Sequence, residues 1–243
     1  MRGSIAAIFA HPDDETFAIG GVIAAYAARG VECHLFCATD GDAGRTSGVA
    51  VASREELGRI RRRELEAAAS ILGFASVRSI GHPDGALGTV DIERLVGEIV
   101  AFVREHRPEI VLTFGPEGAP TGHRDHRVIS RAATTAFFLA GLGTEFSDQL
   151  AATPAHAPRR LFYVSWPPPA PDAEFPRLAV PATARVDIRS QHARMREAFM
   201  AHATQRQHLD RFELLALTDD ECFALAAGVP QPAALIDDLF QGL

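Results

Sequence analysis

Two short stretches of this chain place metal-ligating and proton-transferring residue types at tight spacing. The first is His11, Pro12, Asp13, Asp14 and Glu15. His11 and Asp14 are three apart, so one tight turn can aim both at a single point, and imidazole and carboxylate are good zinc ligands. Asp13 can then reach a water beside the metal as a base. Ionisable groups this dense are costly to bury unless paired or coordinated. The plain alternative is an acidic helix start, favoured by the helix dipole; it accounts for Asp14 or Glu15 but not for His11 and Pro12. The second stretch is Gly122, His123, Arg124, Asp125 and His126. A solvated helix start explains one histidine there, less easily two that bracket an aspartate. His11, Asp14 and one of His123 and His126 would supply three protein ligands and leave a fourth position to water, the arrangement of a catalytic zinc.

For the two stretches to meet, the elements before them must end side by side. Ser4–Phe9 is a short apolar run that reads as a buried strand, followed by a helix over Phe17–Arg29 that Gly30 ends. Val31–Ala38 reads as a second strand, and Thr39–Ala52, with Gly41, Gly44 and Gly48, as a mobile loop. Ser53 with Glu56 forms a capping-box signature for a helix to Leu72, closed by Gly73. Ser76–Ile80 is a third strand, Ile92–His106 a helix, Glu109–Phe114 a fourth strand, and His123–Ala140 a helix. Strands alternating with helices predict a parallel sheet covered on both faces. In the order 3-2-1-4-5, strands one and four are neighbours and both clusters fall at the switch point between them. Beyond Gly141 we expect a strand at Leu161–Ser165, a proline-rich linker or surface loop through Pro167–Pro176, and a short strand at Arg185–Ile188. A helix over Ser190–Leu209 and short helices at Glu221–Ala227 and Ala233–Phe240 complete the expectation.

The chain has 243 residues, 47% hydrophobic and 23% charged, which suits one α/β domain over 1–243, with a core to about 165 and C-terminal additions after it. A net charge of −7 argues against a nucleic-acid partner. No apolar run reaches membrane-span length, and the start lacks a secretory pattern. Cys33, Cys37 and Cys222 make no disulfide framework and read as buried small hydrophobes, so the expected setting is cytoplasmic. A homo-oligomer is left open. There is no G-x-S-x-G nucleophile elbow and no Walker ending on the Gly41–Gly48 loop. His34, His106, His156, His192 and His208 read as ordinary surface or core histidines, and the Arg59–Arg63 run as a solvated helix face.

AIFAHPDDETFAIGG, with TFGPEGAPTGHRDH later, resembles the zinc-dependent N-deacetylases of the LmbE/PIG-L family. Further shared features are Arg61 and Glu64 in IRRREL, Leu72–Gly73, Asp84–Gly85, and VDI…AFMAHATQ around Asp187 and His202–Gln205. The resemblance reaches to about Gln205; Met195 departs from it, standing where members often carry a basic residue. It implies a Rossmann-like three-layer α/β sandwich, one Zn2+ per chain, and hydrolysis of acetamido groups on N-acetylglucosamine derivatives or related small amides. On the matching positions it implies His11, Asp14 and His126 as metal ligands and Asp13 as general base. His123 becomes the group that meets the oxyanion or the leaving amine, Asp125 the carboxylate that orients His123, and Arg61 and Asp84 substrate contacts. His202 is placed in support of the helix–sheet packing or of the residues behind the metal site, rather than on the metal. Two other classes use the same sheet edge: a metal-dependent phosphoesterase, which wants two ions and bridging carboxylates, and a non-catalytic zinc- or sugar-binding protein.

Overall fold

Apolar strands and their flanking caps build the sheet as the alternation demands. The computed structural model describes residues 3–166 and 180–243. In chain order it contains β1 (Ser4–Phe9), α1 (Asp14–Ala28), β2 (Glu32–Thr39), α2 (Arg54–Leu72), β3 (Ser76–His82), α3 (Ile92–His106), β4 (Ile110–Phe114), α4 (Arg124–Leu139), β5 (Arg160–Ser165), β6 (Ala184–Asp187), α5 (His192–Ala201), α6 (Leu209–Leu215) and β7 (Asp220–Gly228). Ser53 caps α2 by accepting the Glu56 N–H at 3.1 Å, while Glu56 reaches back to the N–H of Ala52. Gly73 closes the helix at φ 95°, a left-handed position that favours glycine.

The strands form one sheet in the order β3-β2-β1-β4-β5-β7-β6. Pairing is parallel from β3 to β5, with Ile5 opposite both Cys33 and Ile110, and antiparallel for β7 against β5 and β6. Helices α1, α2 and α5 pack together, and α3 packs with α4. β1 and β4 are buried almost throughout, as central parallel strands should be. Among the described residues no helix is long and apolar enough to cross a membrane.

Three expectations for the C-terminal region change. Glu221–Ala227 is the centre of strand β7, not a helix. A short alanine-rich apolar run does not declare its period, and here two strands, β5 and β6, bracket it. Ala233–Phe240 is irregular. The buried Arg160 guanidinium takes the carbonyls of Val229, Pro230, Leu239 and Gln241, which orders the tail without helical bonds. Ser190–Leu209 is not continuous: α5 stops at His202, whose backbone leaves helical values (φ −79°, ψ 69°), and a 3-10 segment (Ala203–His208) precedes α6. The Pro167–Pro176 stretch lies outside the described residues.

Strand β7 is fastened to α1 by a buried acid. The Glu221 carboxylate accepts the main-chain N–H groups of Gly21 and Val22 at 2.8 Å each. Gly21 also makes room for Ile188, since a Cβ there would lie 2.5 Å from its side chain. Burial outweighs those two donors and pushes the Glu221 carboxyl up to about 8. The unfolded chain would release this proton near the ordinary value of about 4.3. Between those values the unfolded state ionises and the folded state does not, so folding stability is full at low pH and falls as pH rises toward 8. Glu221→Gln should flatten this slope. Thermal unfolding from about pH 5 to about pH 8 should show the wild type losing ~10 °C relative to the variant; a constant offset across that range would refute it.

Candidate active site

The parallel pairing of β1 with β4 sets two loops side by side at one sheet edge. Each loop opens a helix, with Asp13 at the N-cap of α1 and His123 at the N-cap of α4. Asp13 has φ 113°, an unusual conformation for a residue with a side chain, and its carboxylate makes no capping bond. Glu15 Oε2 accepts the Asp13 N–H instead, at 2.9 Å. Asp13 is therefore held off its ordinary helix-capping task, with strain of the kind that gathers at functional sites.

Asp14 is the hub. Its Oδ2 accepts the N–H groups of Ala10 and His11 at 3.1 and 2.9 Å. The same oxygen lies 3.5 Å from His11 Nδ1, and Oδ1 lies 3.3 Å from His126 Nε2. Burial alone would raise the Asp14 carboxyl, but the His126 and His11 rings outweigh it and hold it well below the usual range. His11 turns its other nitrogen to two carboxylates, Asp84 Oδ1 at 3.2 Å and Asp125 Oδ2 at 3.3 Å. Burial would lower the His11 ring, but Asp125, Asp14 and Asp84 together overcome it and raise the ring well above its ordinary value. The His126 ring stacks on Phe114 with centroids 4.0 Å apart, and its buried Nδ1 has no hydrogen-bond partner among the described residues.

Donor chemistry in this cluster fits a divalent metal. Among the described residues, His11, His123 and His126 offer atoms within 4.8 Å of one another, and so do His11, Asp84 and Asp125. The two groups share His11, which suits one ion better than two. Imidazole nitrogens and carboxylate oxygens without sulfur are zinc-type donors. A ligating imidazole whose far nitrogen rests on a carboxylate is also the usual way such a ring is oriented.

Three sequence-level roles look different in place. Asp125 does not hold the His123 ring: its carboxylate accepts the N–H groups of Gly85 and Leu87 at 2.8 and 3.1 Å and faces His11. Its link to His123 is its main-chain N–H, which donates to His123 Nδ1 at 3.2 Å. Arg61 is almost wholly buried, at the floor of the cleft that it helps to line. It donates to the carbonyls of Pro12 and Gly41 and to Asp13 Oδ2, the last at 3.2 Å. Gly41 and Gly44 make room for it, since a Cβ at either would fall within 2.4 Å of its Nη1. Asp84 lines the cleft but spends one oxygen on His11 and the other on the Ala43 N–H. His82 turns away to Glu98 at 2.5 Å.

Asp13 is supported from beneath by the C-terminal region, as expected of His202. Fully buried His202 bonds Glu15 Oε1 at 2.8 Å, so the break after α5 is tied to the loop that carries Asp13. Glu64 accepts both the N–H and the hydroxyl of Thr204, at 2.9 and 2.6 Å. Met195, also fully buried, is part of the core. Above the cluster opens a cleft of about 650 Å³, with Phe17, Phe114 and Trp166 among its walls. His208, which looked ordinary in the sequence, lines it too.

A family model described as GlcNAc-PI de-N-acetylase (PIG-L) matches residues 6–137. A probable N-acetyl-alpha-D-glucosaminyl L-malate deacetylase 2 of Bacillus cereus is 35% identical over 137 residues, spanning 56% of this chain and 61% of that relative's length. A 1D-myo-inositol 2-acetamido-2-deoxy-alpha-D-glucopyranoside deacetylase of Rhodococcus erythropolis is 30% identical over 97% of this chain and 96% of its own. Among solved structures, the N,N'-diacetylchitobiose deacetylase of Pyrococcus horikoshii superposes with TM-score 0.75 at 20% identity, covering 91% of this chain and 83% of its own. GalB, a 4-carboxy-2-hydroxymuconate hydratase of Pseudomonas putida, superposes with TM-score 0.75 at 18% identity over 95% and 99%. The shared fold thus carries more than one chemistry.

The Arg61 geometry makes a prediction of its own. Removing one partner of a buried ion pair leaves the other charge uncompensated, typically at a cost of about 3–5 kcal/mol. Arg61→Leu should lower the urea-unfolding free energy by ~3 kcal/mol, because Asp13 and two carbonyls lose their donor together. A change below ~0.5 kcal/mol, the range of ordinary surface substitutions, would show that Arg61 is a rim residue after all.

Proposed function

The chain belongs to the GlcNAc-PI de-N-acetylase (PIG-L) family, and from that premise we propose that it is a metal-dependent hydrolase removing the acetyl group from an N-acetylated amino sugar. The carrying observation is the pair of imidazoles, His11 and His126, turned on the two oxygens of Asp14 beside an Asp13 carboxylate that caps nothing. We read residues 1–243 as one domain, since β6 and β7 extend the sheet that holds the site.

His11, Asp14 and His126 would hold the ion, zinc by donor type. When bound, such an ion polarises the acyl oxygen and lowers the pKa of water. Asp13 takes the proton from the attacking water. Arg61, on its Oδ2, fixes the carboxylate so that one oxygen faces the cleft. His123 supplies the donor on the other side. Its Nδ1 accepts the Asp125 N–H, so the neutral ring carries its proton on Nε2. From there it can donate a hydrogen bond to the developing oxyanion, while the proton that Asp13 took from the water passes to the departing amine and leaves both residues as they began. Burial, then the neighbouring His11 and His126, hold His123 below its ordinary value, which favours the neutral ring that this step begins from. The Asp125 and Asp84 carboxylates act through His11, orienting the ligand rather than touching substrate.

Two experiments divide these roles. Asp13→Asn keeps the shape and removes the proton acceptor, so metal content should hold while release of primary amine from N-acetylglucosamine glycosides drops by about 10²–10⁴-fold. Turnover near wild type would move the base elsewhere, with Glu15 the neighbour to test. His126→Ala should empty the site of metal together with activity, whereas His123→Ala should keep the metal and lose kcat. Elemental analysis of the two purified variants decides it; a metal-free His123→Ala with a loaded His126→Ala would reverse the assignment.

A further inference from the structure

A circuit of buried hydrogen bonds closes behind Asp13. Arg61, on α2, donates to Asp13 Oδ2 at 3.2 Å. The Asp13 N–H donates to Glu15 Oε2 at 2.9 Å, and Glu15 Oε1 accepts from His202 Nε2 at 2.8 Å. Two residues beyond His202, Thr204 donates its N–H and its hydroxyl to the Glu64 carboxylate at 2.9 and 2.6 Å. Glu64 lies three residues after Arg61 on α2, on the same helix face, which returns the circuit to its start. All of its members are buried except Asp13, which lines the cleft. The bond to Glu15 is the one that His202 makes through its ring; Nδ1 is buried without a partner among the described residues. An unpaired buried nitrogen is destabilising, so an apolar side chain would fill this space better unless the Glu15 bond were needed. Asp13 itself sits at φ 113°, a conformation that a residue with a side chain keeps only where its surroundings over-determine it. Arg61 supplies that constraint on the carboxylate and Glu15 on the main chain.

We propose that His202 is a positioning residue for the base: through Glu15 it holds Asp13 in the left-handed conformation that keeps the carboxylate off the helix cap and in the cleft. Without the His202 donor, Glu15 would carry a buried charge on fewer bonds. The Asp13 N–H and the Thr16 hydroxyl, its other donors, are already engaged on it. Glu15 would then turn toward a new donor and release the Asp13 N–H. Asp13 could relax to an ordinary cap conformation, with its carboxylate on the first turn of α1. Thr204 and Glu64 fix the ring from the other side by anchoring the turn after His202 to α2. The proposal rests on Asp13 being the base of the deacetylase reading.

Amine release from N-acetylglucosamine glycosides, measured on the full-length holoenzyme and its variants, tests it. His202→Leu should keep metal content and KM and lower kcat about 10–100-fold, the usual effect of removing a partner that orients a reacting group. His202→Gln, which can still place a donor on Glu15, should recover most of that loss. In the Asp13→Asn background, His202→Leu should lower kcat no further, because both substitutions act through one carboxylate. Thr204→Val removes one of the two bonds to Glu64 and should give a smaller loss of kcat at unchanged KM; it reads the circuit if the leucine variant does not fold. A wild-type kcat in His202→Leu, or in Thr204→Val where that variant stands in, overturns the proposal and leaves the deacetylase standing. Losses that multiply in the double variant do the same, since they would show a general effect on the fold. A wild type that releases no amine from any glycoside removes the deacetylase reading instead. The circuit is then judged by crystal structures of the same variants, in which Asp13 should leave positive φ and lose its bond to Glu15; an Asp13 unchanged there overturns it.

Discussion

A buried carboxylate facing two imidazoles is the interaction on which this molecule turns. Asp14 has little solvent to stabilise its charge, so the rings of His11 and His126 and two main-chain N–H groups must do so. That requirement forces the turn after β1 against the start of α4, which is possible only because β1 and β4 are parallel neighbours. The sheet order is thus a condition of the site as well as of the core.

Around this hub, charge is balanced in successive layers. His11 is shared between Asp14 on one side and Asp84 and Asp125 on the other. Asp13 is held by Arg61, and the loop that bears Asp13 is held by Glu15, which leans on His202. The last contact spans most of the chain and explains why the C-terminal segment breaks its helix where it does. Low-dielectric surroundings make each satisfied pair strong and each broken pair expensive, so the elements that supply partners are bound to the site as tightly as its ligands.

Much of this was legible in the sequence because it was locally written. The apolar runs before each cluster, the Ser53/Glu56 cap and Gly73 declared β1, β4 and α2 within a residue or two. The two motifs declared His11, Asp13, Asp14, His123 and His126 as one neighbourhood, and the rings of His11, His123 and His126 do lie within 5.2 Å of one another. What stayed hidden depends on distant partners. Nothing near Asp125 says that its carboxylate serves His11, or that Arg61 lies beneath Asp13. The run around Ala224 becomes a strand only because β5 and β6 flank it, and the tail around Ile236 is ordered by Arg160, a residue far back in the chain.

The central claim is that one divalent ion sits at the junction of these two loops. Crystals grown with zinc, with diffraction recorded on both sides of the zinc absorption edge, test it most directly. The account predicts a single strong anomalous peak per chain, within about 2.0–2.2 Å of nitrogen or oxygen atoms of His11, Asp14 and His126, with no sulfur ligand. A peak bound instead by His123 with His11 and His126, leaving Asp14 outside, or a peak anywhere else in the chain, would contradict it.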